Sequence, residues 1–218
     1  MSIVDLINRR DIGTFASLHL RGAEALCLEG PVCLTKSRVH EVCGDSADMF
    51  AVLAASRLQG PIVWIGLPRD IASLAPTALQ TYIDPSRVIL TEGINRGEVL
   101  WAAEQALRAT CAECVVIELS SGPNLRESRR LQIAAEEGGG IGLILIQGRV
   151  YTSACETRWQ CTASNQGENN WIWSLTKNRK GELGCWQVRW SQSAQNENDP
   201  SGECYEAGVI HLAAATAA

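Results

Sequence analysis

The chain has only three histidines, His19, His40 and His211, and they lie too far apart in the sequence to share a metal at ligand spacing. No G-x-S-x-G elbow and no G-x-G-x-x-G fingerprint follows a candidate strand, so two common signatures of α/β enzymes are missing. No apolar run approaches about 18 residues. The first residues, MSIVDLINRRDIGTF, lack the apolar segment of a secretory signal. A chain with neither feature is expected in the cytoplasm, away from the membrane. Positive charge is not in excess either. Nineteen Lys and Arg against 24 Asp and Glu leave a net charge of −5, so nucleic acid is expected as a weak or indirect partner at most.

What is present describes an ordinary globular chain. Its 218 residues, 46% apolar and 20% charged, suffice for one domain with a real core. Nine cysteines in a cytoplasmic chain read as mostly reduced thiols acting as small buried hydrophobes. Cys111 and Cys114 form a C-x-x-C, but Cys155, Cys161, Cys185 and Cys204 are spaced too widely to complete a zinc site, and no metal is expected.

Residues 1–38 read as an N-terminal arm with a short strand around EALCLEGPVCL. From residue 39 the pattern becomes regular. RVHEVCG, GPIVWIGLP, SRVILTEG, ECVVIELSS and IGLILIQ are short apolar runs bounded by glycine, proline or polar residues, and each predicts a strand. Helices are predicted between them. One starts at Ser46 or Asp48, one carries an Asn95–Glu98 capping box, and NLRESRRLQIAAEE stops at Gly138-Gly139-Gly140. Apolar strands alternating with helices indicate an α/β domain with a central, mostly parallel sheet.

The last third alternates with a period of two instead. ETRWQCTAS and the two arms of WIWSLTKNRKGELGCWQVRW predict antiparallel strands and a hairpin that extend the parallel sheet. Trp171, Trp173 and Leu175 share one face of the first arm, and Trp186, Val188 and Trp190 share one face of the second. Five of the seven tryptophans lie between positions 159 and 190, so this face covers either a helix or a partner. The domain is expected to span 39–192, with 193–218 as a flexible tail holding one short docking segment, AGVIHLAAA.

Four of these motifs, in this order, resemble the RecA-like recombinase superfamily. The motifs are VHEVCG leading into a helix, VVIELS, LILIQ, and LTKNRKGELG followed by a tryptophan. Within that superfamily the chain is most similar to the ImuA-type proteins of bacterial damage-inducible mutagenesis cassettes, over roughly residues 39–190. The resemblance implies a RecA-like core. It also implies a polymerase-like cassette protein, a specialised replicative-type DNA polymerase and the recombinase as partners.

The residues depart from the superfamily where its chemistry would lie. A working phosphate loop reads G-x-x-x-x-G-K-[ST], its lysine and hydroxyl serving phosphate and magnesium. Aligned on Gly44, this chain has Met49, Phe50 and Ala51 at the last three positions, and Asp45 or Asp48 would repel phosphate. Met49 and Phe50 are expected to fill the space a nucleotide would occupy. Glu118 stands where the superfamily keeps its magnesium-assisting acid, and Gln147 ends the LILIQ strand. No nucleotide cofactor, no catalytic residue and no enzymatic activity are expected. GRVYTSACETR, between Gln147 and Trp159, is short for a DNA-pairing loop. The hairpin keeps Lys177, Asn178, Arg179 and Lys180, and the resemblance would place the basic Lys177, Arg179 and Lys180 toward a neighbouring subunit's nucleotide. With Trp171 and Trp173 they are the candidate partner contacts. Two alternatives stay open: an inhibitor resembling the SulA-type division inhibitors, which bind a cytoskeletal GTPase, and a diverged nucleotide enzyme using Asp45, Glu118 and Gln147.

Overall fold

The computed structural model describes residues 24–191 and 208–214. Two antiparallel strands come first, β1 (Ala25–Glu29) and β2 (Val32–Thr35). Their alternating Leu26, Leu28, Val32 and Leu34 all point into the core. Burying each aliphatic side chain contributes about 1.5–3 kcal/mol. This part of the expected arm is therefore an integral wall of the domain, while 1–23 and His19 lie outside the described residues. Cys27 and Cys33 face each other in register across the pair and are joined as a disulfide.

Along the chain follow β3 (Val39–Cys43), α1 (Ala47–Ala55), β4 (Ile62–Gly66), the one-turn helices α2 (Pro68–Ile71) and α3 (Pro76–Leu79), β5 (Val88–Glu92), α4 (Arg96–Arg108), β6 (Cys114–Leu119), α5 (Leu125–Gly138) and β7 (Ile141–Ile146). Then come β8 (Thr157–Ala163), β9 (Asn170–Asn178), β10 (Gly184–Ser191) and β11 (Val209–Ala214). The large sheet has nine strands in the order β11-β10-β9-β8-β3-β7-β6-β4-β5. The six strands from β8 to β5 pair in parallel, and β9, β10 and β11 extend them antiparallel.

α1 starts after Ser46 with no capping bond from the Ser46 side chain, whose hydroxyl donates to Asp45, while the signals of α4 and α5 act as expected. The Asn95 side chain accepts from the Glu98 N–H at 3.1 Å, Asn124 and Glu127 cap α5 reciprocally, and Gly139 ends it with a left-handed φ of 86°. Residues 192–207 and 215–218 lie outside the described residues, but AGVIHLAAA is not a loose docking segment. Its VIHLAA pairs with β10 as an edge strand, Ile210 opposite Trp190, so part of the expected tail completes the sheet.

Each sheet face carries its own core. On one lie α1, the β1–β2 pair and the indoles of Trp64, Trp159, Trp171, Trp173 and Trp190. On the other lie α4 and α5 over β3, β6 and β7, together with Cys155 of the segment leading into β8. Among the described residues, no helix is long and apolar enough to cross a membrane.

Candidate functional site

The turn after β3 is where a phosphate loop would sit. Gly44 has a φ of 103°, and a Cβ there would stand 1.9 Å from the Cys161 carbonyl oxygen. Close approach of β8 therefore accounts for the glycine without any phosphate. The Ser46 N–H donates to the same carbonyl at 3.4 Å. Asp45 Oδ1 accepts from the Ala163 N–H at 2.9 Å and from the Ser46 hydroxyl at 3.0 Å. The turn is laced to β8 through the groups a phosphate cradle would leave free, and it holds a carboxylate where phosphate charge would lie.

In the helix that follows, Ala51 is fully buried and Met49 is half-buried against the core. Phe50 is fully buried, its ring centroid 4.7 Å from that of Trp173 and 5.3 Å from that of Trp159. The aligned lysine position thus points into the aromatic core between α1 and the sheet. Phe50 helps close the domain between α1 and the sheet.

Glu118, at the end of β6, is buried and accepts from the Trp64 indole N–H at 2.7 Å, with the Gln147 amide 3.5 Å from its other oxygen. Burial raises its carboxyl above the ordinary range, Asp70 and Asp48 push the same way, and the Trp64 hydrogen bond opposes them. Asp45, Glu118 and Gln147 do not converge on one point. Asp45 is engaged with β8, while Glu118 and Gln147 share a separate contact beneath Trp64. No group of three metal-ligating side chains occurs among the described residues.

The tryptophan hairpin corrects one expectation. Trp173 is fully buried and Trp171 nearly so, because the face they share lies against α1 and the β1–β2 pair. They are core residues, not partner contacts. Alternation identified the shared face but carried no information about whether that face met solvent.

The polar end of the hairpin turns to the opposite side of the sheet, beside α5. Lys177 Nζ donates to the Ser153 carbonyl at 2.9 Å and lies 3.2 Å from its hydroxyl; Arg179 donates to the Ala154 carbonyl at 3.1 Å; Lys180 stands 3.5 Å from Glu156. Asn178 shapes the turn, accepting from the Lys180 N–H and donating to the Glu182 carbonyl. Burial lowers the Lys177 ammonium below its usual range, with buried Glu41 pulling it back. Lys177 and Arg179 thus have partners in their own chain, in the segment between β7 and β8.

Three features of this region escaped the sequence reading. Glu41 looks like the outward residue of a strand, yet it is fully buried and paired with Arg158 at 2.8 Å. Arg38, just before β3, reaches Glu136 of α5 at 3.0 Å. Gln132 of α5 is buried, its carbonyl oxygen accepting from the Val39 N–H at 3.1 Å. The only signal available was helical spacing, which puts Arg129 and Gln132 on neighbouring positions of one helix face.

Among the described cysteines, Cys43, Cys114, Cys155 and Cys161 are buried as expected, whereas Cys111 and Cys185 are exposed and the Cys27–Cys33 disulfide departs from the expectation of reduced thiols. Burial pushes Cys43 up to about 11 and Cys114 and Cys155 up to about 12, far from the thiolate form needed for catalysis or metal binding.

No family model matches the chain. Protein ImuA of Caulobacter vibrioides, from strain NA1000 / CB15N and from strain ATCC 19089 / CIP 103742 / CB 15, is 29% identical over 150 residues. Each match covers 60% of this chain and 60% of the relative's own length. Among solved structures, the RadB recombinase superposes with a TM-score of 0.55 at 12% identity, covering 72% of this chain and 88% of that one. The chain thus carries a RecA-like fold and is similar in sequence to ImuA, on a scaffold whose phosphate turn is tied to its own sheet.

Proposed function

We propose that this chain is a non-catalytic, RecA-like accessory protein of damage-induced mutagenesis, acting in the cytoplasm through contacts with other proteins. The observation that carries the non-catalytic part is the turn at Gly44 to Ala51. It lacks the lysine and the hydroxyl, its Ser46 N–H is engaged with Cys161, and its Asp45 carboxylate is held in place by Ala163. Phosphate would have to displace a strand contact and approach a negative charge, with no cation in the turn to offset either. The similarity to ImuA supports the mutagenesis role. The partners in this reading are a polymerase-like cassette protein, a specialised replicative-type polymerase and the recombinase.

The mechanism is recruitment: a fold inherited from a nucleotide-driven protein presents surfaces and leaves the motor chemistry to others. One experiment tests both halves. Tagged protein is captured from cells after DNA damage and its companions identified, and the purified protein is heated with and without millimolar ATP and magnesium. Recovery of a DNA polymerase component or the recombinase, with no shift in Tm, is the expected result. Ligand at 100 times its Kd would add about 2.7 kcal/mol of stability, so a clear shift with ATP would overturn the non-catalytic reading. Recovery of the division GTPase in place of polymerase components would overturn the mutagenesis role.

A further inference from the structure

The polar end of the hairpin does more than close a turn. Two adjoining grooves run between it and α5, at the end of β3 opposite the Gly44 turn. The first, about 390 Å³, is lined by Leu125, Arg129, Ser153, Lys177 and Arg179. The second, about 310 Å³, shares Arg129 and Arg179 and adds Arg38, Lys180, Gln132 and the carboxylates Glu136 and Glu156. Five of the cations of a chain with net charge −5 therefore surround one continuous depression. Arg129 and Arg179 are exposed, and Arg179 commits one guanidinium nitrogen to the Ala154 carbonyl. Beneath them the Gln132 amide nitrogen is buried and has no hydrogen-bond partner among the described residues. That donor is left without an acceptor by the folded chain, and a ligand oxygen that reached it would satisfy it.

We infer that this double groove is a docking site for an extended acidic segment of a partner protein, whose carboxylates meet Arg129 and Arg179 and whose apolar side chain covers Leu125. Charge complementarity selects the class of ligand. Guanidinium groups hold carboxylates in paired hydrogen bonds, and the two arginines bridge both grooves. Leu125 is 58% exposed at the lip of the first groove, which suits an apolar neighbour. Glu136 and Glu156 in the second groove disfavour a uniform polyanion. A nucleic-acid backbone carries a phosphate at every step and would set one against these carboxylates, whereas a peptide can place a neutral or donor residue there. The inference gives the partner-contact reading its chemistry and rests on that reading only for which cellular protein supplies the segment.

The test uses the full chain and a fluorescein-labelled twelve-residue peptide of Asp, Glu and Leu, read by fluorescence anisotropy. The same peptide with Asn and Gln replacing its acids, and a labelled dT12 oligonucleotide, are run beside it. Arg129→Glu and Arg179→Glu, singly and together, are compared with Arg69→Glu, an exposed arginine outside the grooves. Saturable binding of the acidic peptide is expected, weakened at least tenfold by either groove variant, unchanged by Arg69→Glu, and lost with the neutral peptide. Circular dichroism of Arg129→Glu, at an exposed helix position, shows whether a loss reflects the groove or the fold. Equal weakening by Arg69→Glu, binding of dT12 in preference to the peptide, or no peptide binding would each overturn the site. In cells, a deletion that lowers damage-induced mutagenesis while the double groove variant does not would overturn the groove and leave the role. A deletion without effect would overturn the role, whatever the peptide does.

Discussion

The Trp64 indole N–H donates to the Glu118 carboxylate at 2.7 Å, so the acid at the end of β6 is satisfied within the core. In a nucleotide-driven relative an acid at this strand end would be kept for magnesium; here it is covered and only 7% exposed.

Glu118→Gln follows directly. The folded state raises this carboxyl above its ordinary range, mainly by burial. A carboxyl raised on folding favours the fold fully below its unfolded value and loses that contribution as pH rises through the folded value. The charged form at neutral pH therefore works against folding. An amide keeps an acceptor for Trp64 and removes the charge. Glu118→Gln is expected to be as stable as the parent at pH 5 and more stable at pH 8, by urea unfolding. Trp64→Phe, which leaves the carboxylate without its donor, is expected to cost about 1–3 kcal/mol.

His40 gives a second pH dependence of opposite sign. It is fully buried, with one ring nitrogen 3.0 Å from the Thr35 carbonyl and the other 2.7 Å from the Thr157 hydroxyl, which also accepts from the Trp159 indole. The carbonyl can only accept, so the nitrogen facing it carries a proton in either charge state, and in the neutral ring the other nitrogen accepts from the Thr157 hydroxyl. Burial lowers it from 6.5 to about 4. Protonation then belongs to the unfolded chain between those values, so stability is full above about pH 6.5 and falls as pH drops toward 4. The loss is roughly 3 kcal/mol at about 1.4 per pH unit. His40→Gln is expected to flatten the acid limb of an unfolding-against-pH curve even if it lowers the plateau.

These two residues also show where sequence reading stops. The apolar runs that became β3 to β7 were legible because a strand buried on both faces needs apolar side chains throughout, and glycine, proline and capping residues mark its ends. The edge position of β11 was not, since VIHLAA is separated from its partner β10 by a long polar stretch that says nothing about return. His40 and Glu41 are polar residues in an apolar run, and their partners Thr157 and Arg158 each lie 117 positions away. Only the β3–β8 register brings them together. The cationic groove was hidden for the same reason: Arg38 precedes β3, Arg129 lies on α5 and Arg179 follows β9, and only the folded sheet brings these three stretches together.

Restoring the signature of the phosphate turn is expected to fail. Met49→Gly with Phe50→Lys would place an ammonium between Trp159 and Trp173, where Phe50 now stands 4.7 Å from the latter. Loss of a buried phenylalanine alone costs about 3–5 kcal/mol, and an unpaired buried charge adds to that. The double variant should unfold at much lower urea concentration and show no ATPase activity. A stable variant that hydrolysed ATP would show that the turn can leave β8 and cradle phosphate.

The last prediction concerns Glu41 and Arg158, neighbours in register on β3 and β8. Both the Arg158 Nε and a terminal nitrogen approach the same Glu41 oxygen at 2.8 Å, while the other oxygen is buried without a partner among the described residues. Arg158 also ties the crossing segment to the sheet through the Tyr151 carbonyl at 2.7 Å. Arg158→Ala therefore strands a carboxylate in the core and frees the segment beside the groove, and is expected to cost about 3–5 kcal/mol. Replacing both residues, Glu41→Leu with Arg158→Met, removes the desolvated charge altogether and is expected to fold with near-parental stability or better. A double-mutant cycle by urea unfolding separates the two accounts. A large coupling energy means that the pair matters mainly because neither charge can stand alone. Additive losses would mean that Arg158 acts through Tyr151 and the crossing segment, and that Glu41 finds its compensation in nearby Lys177.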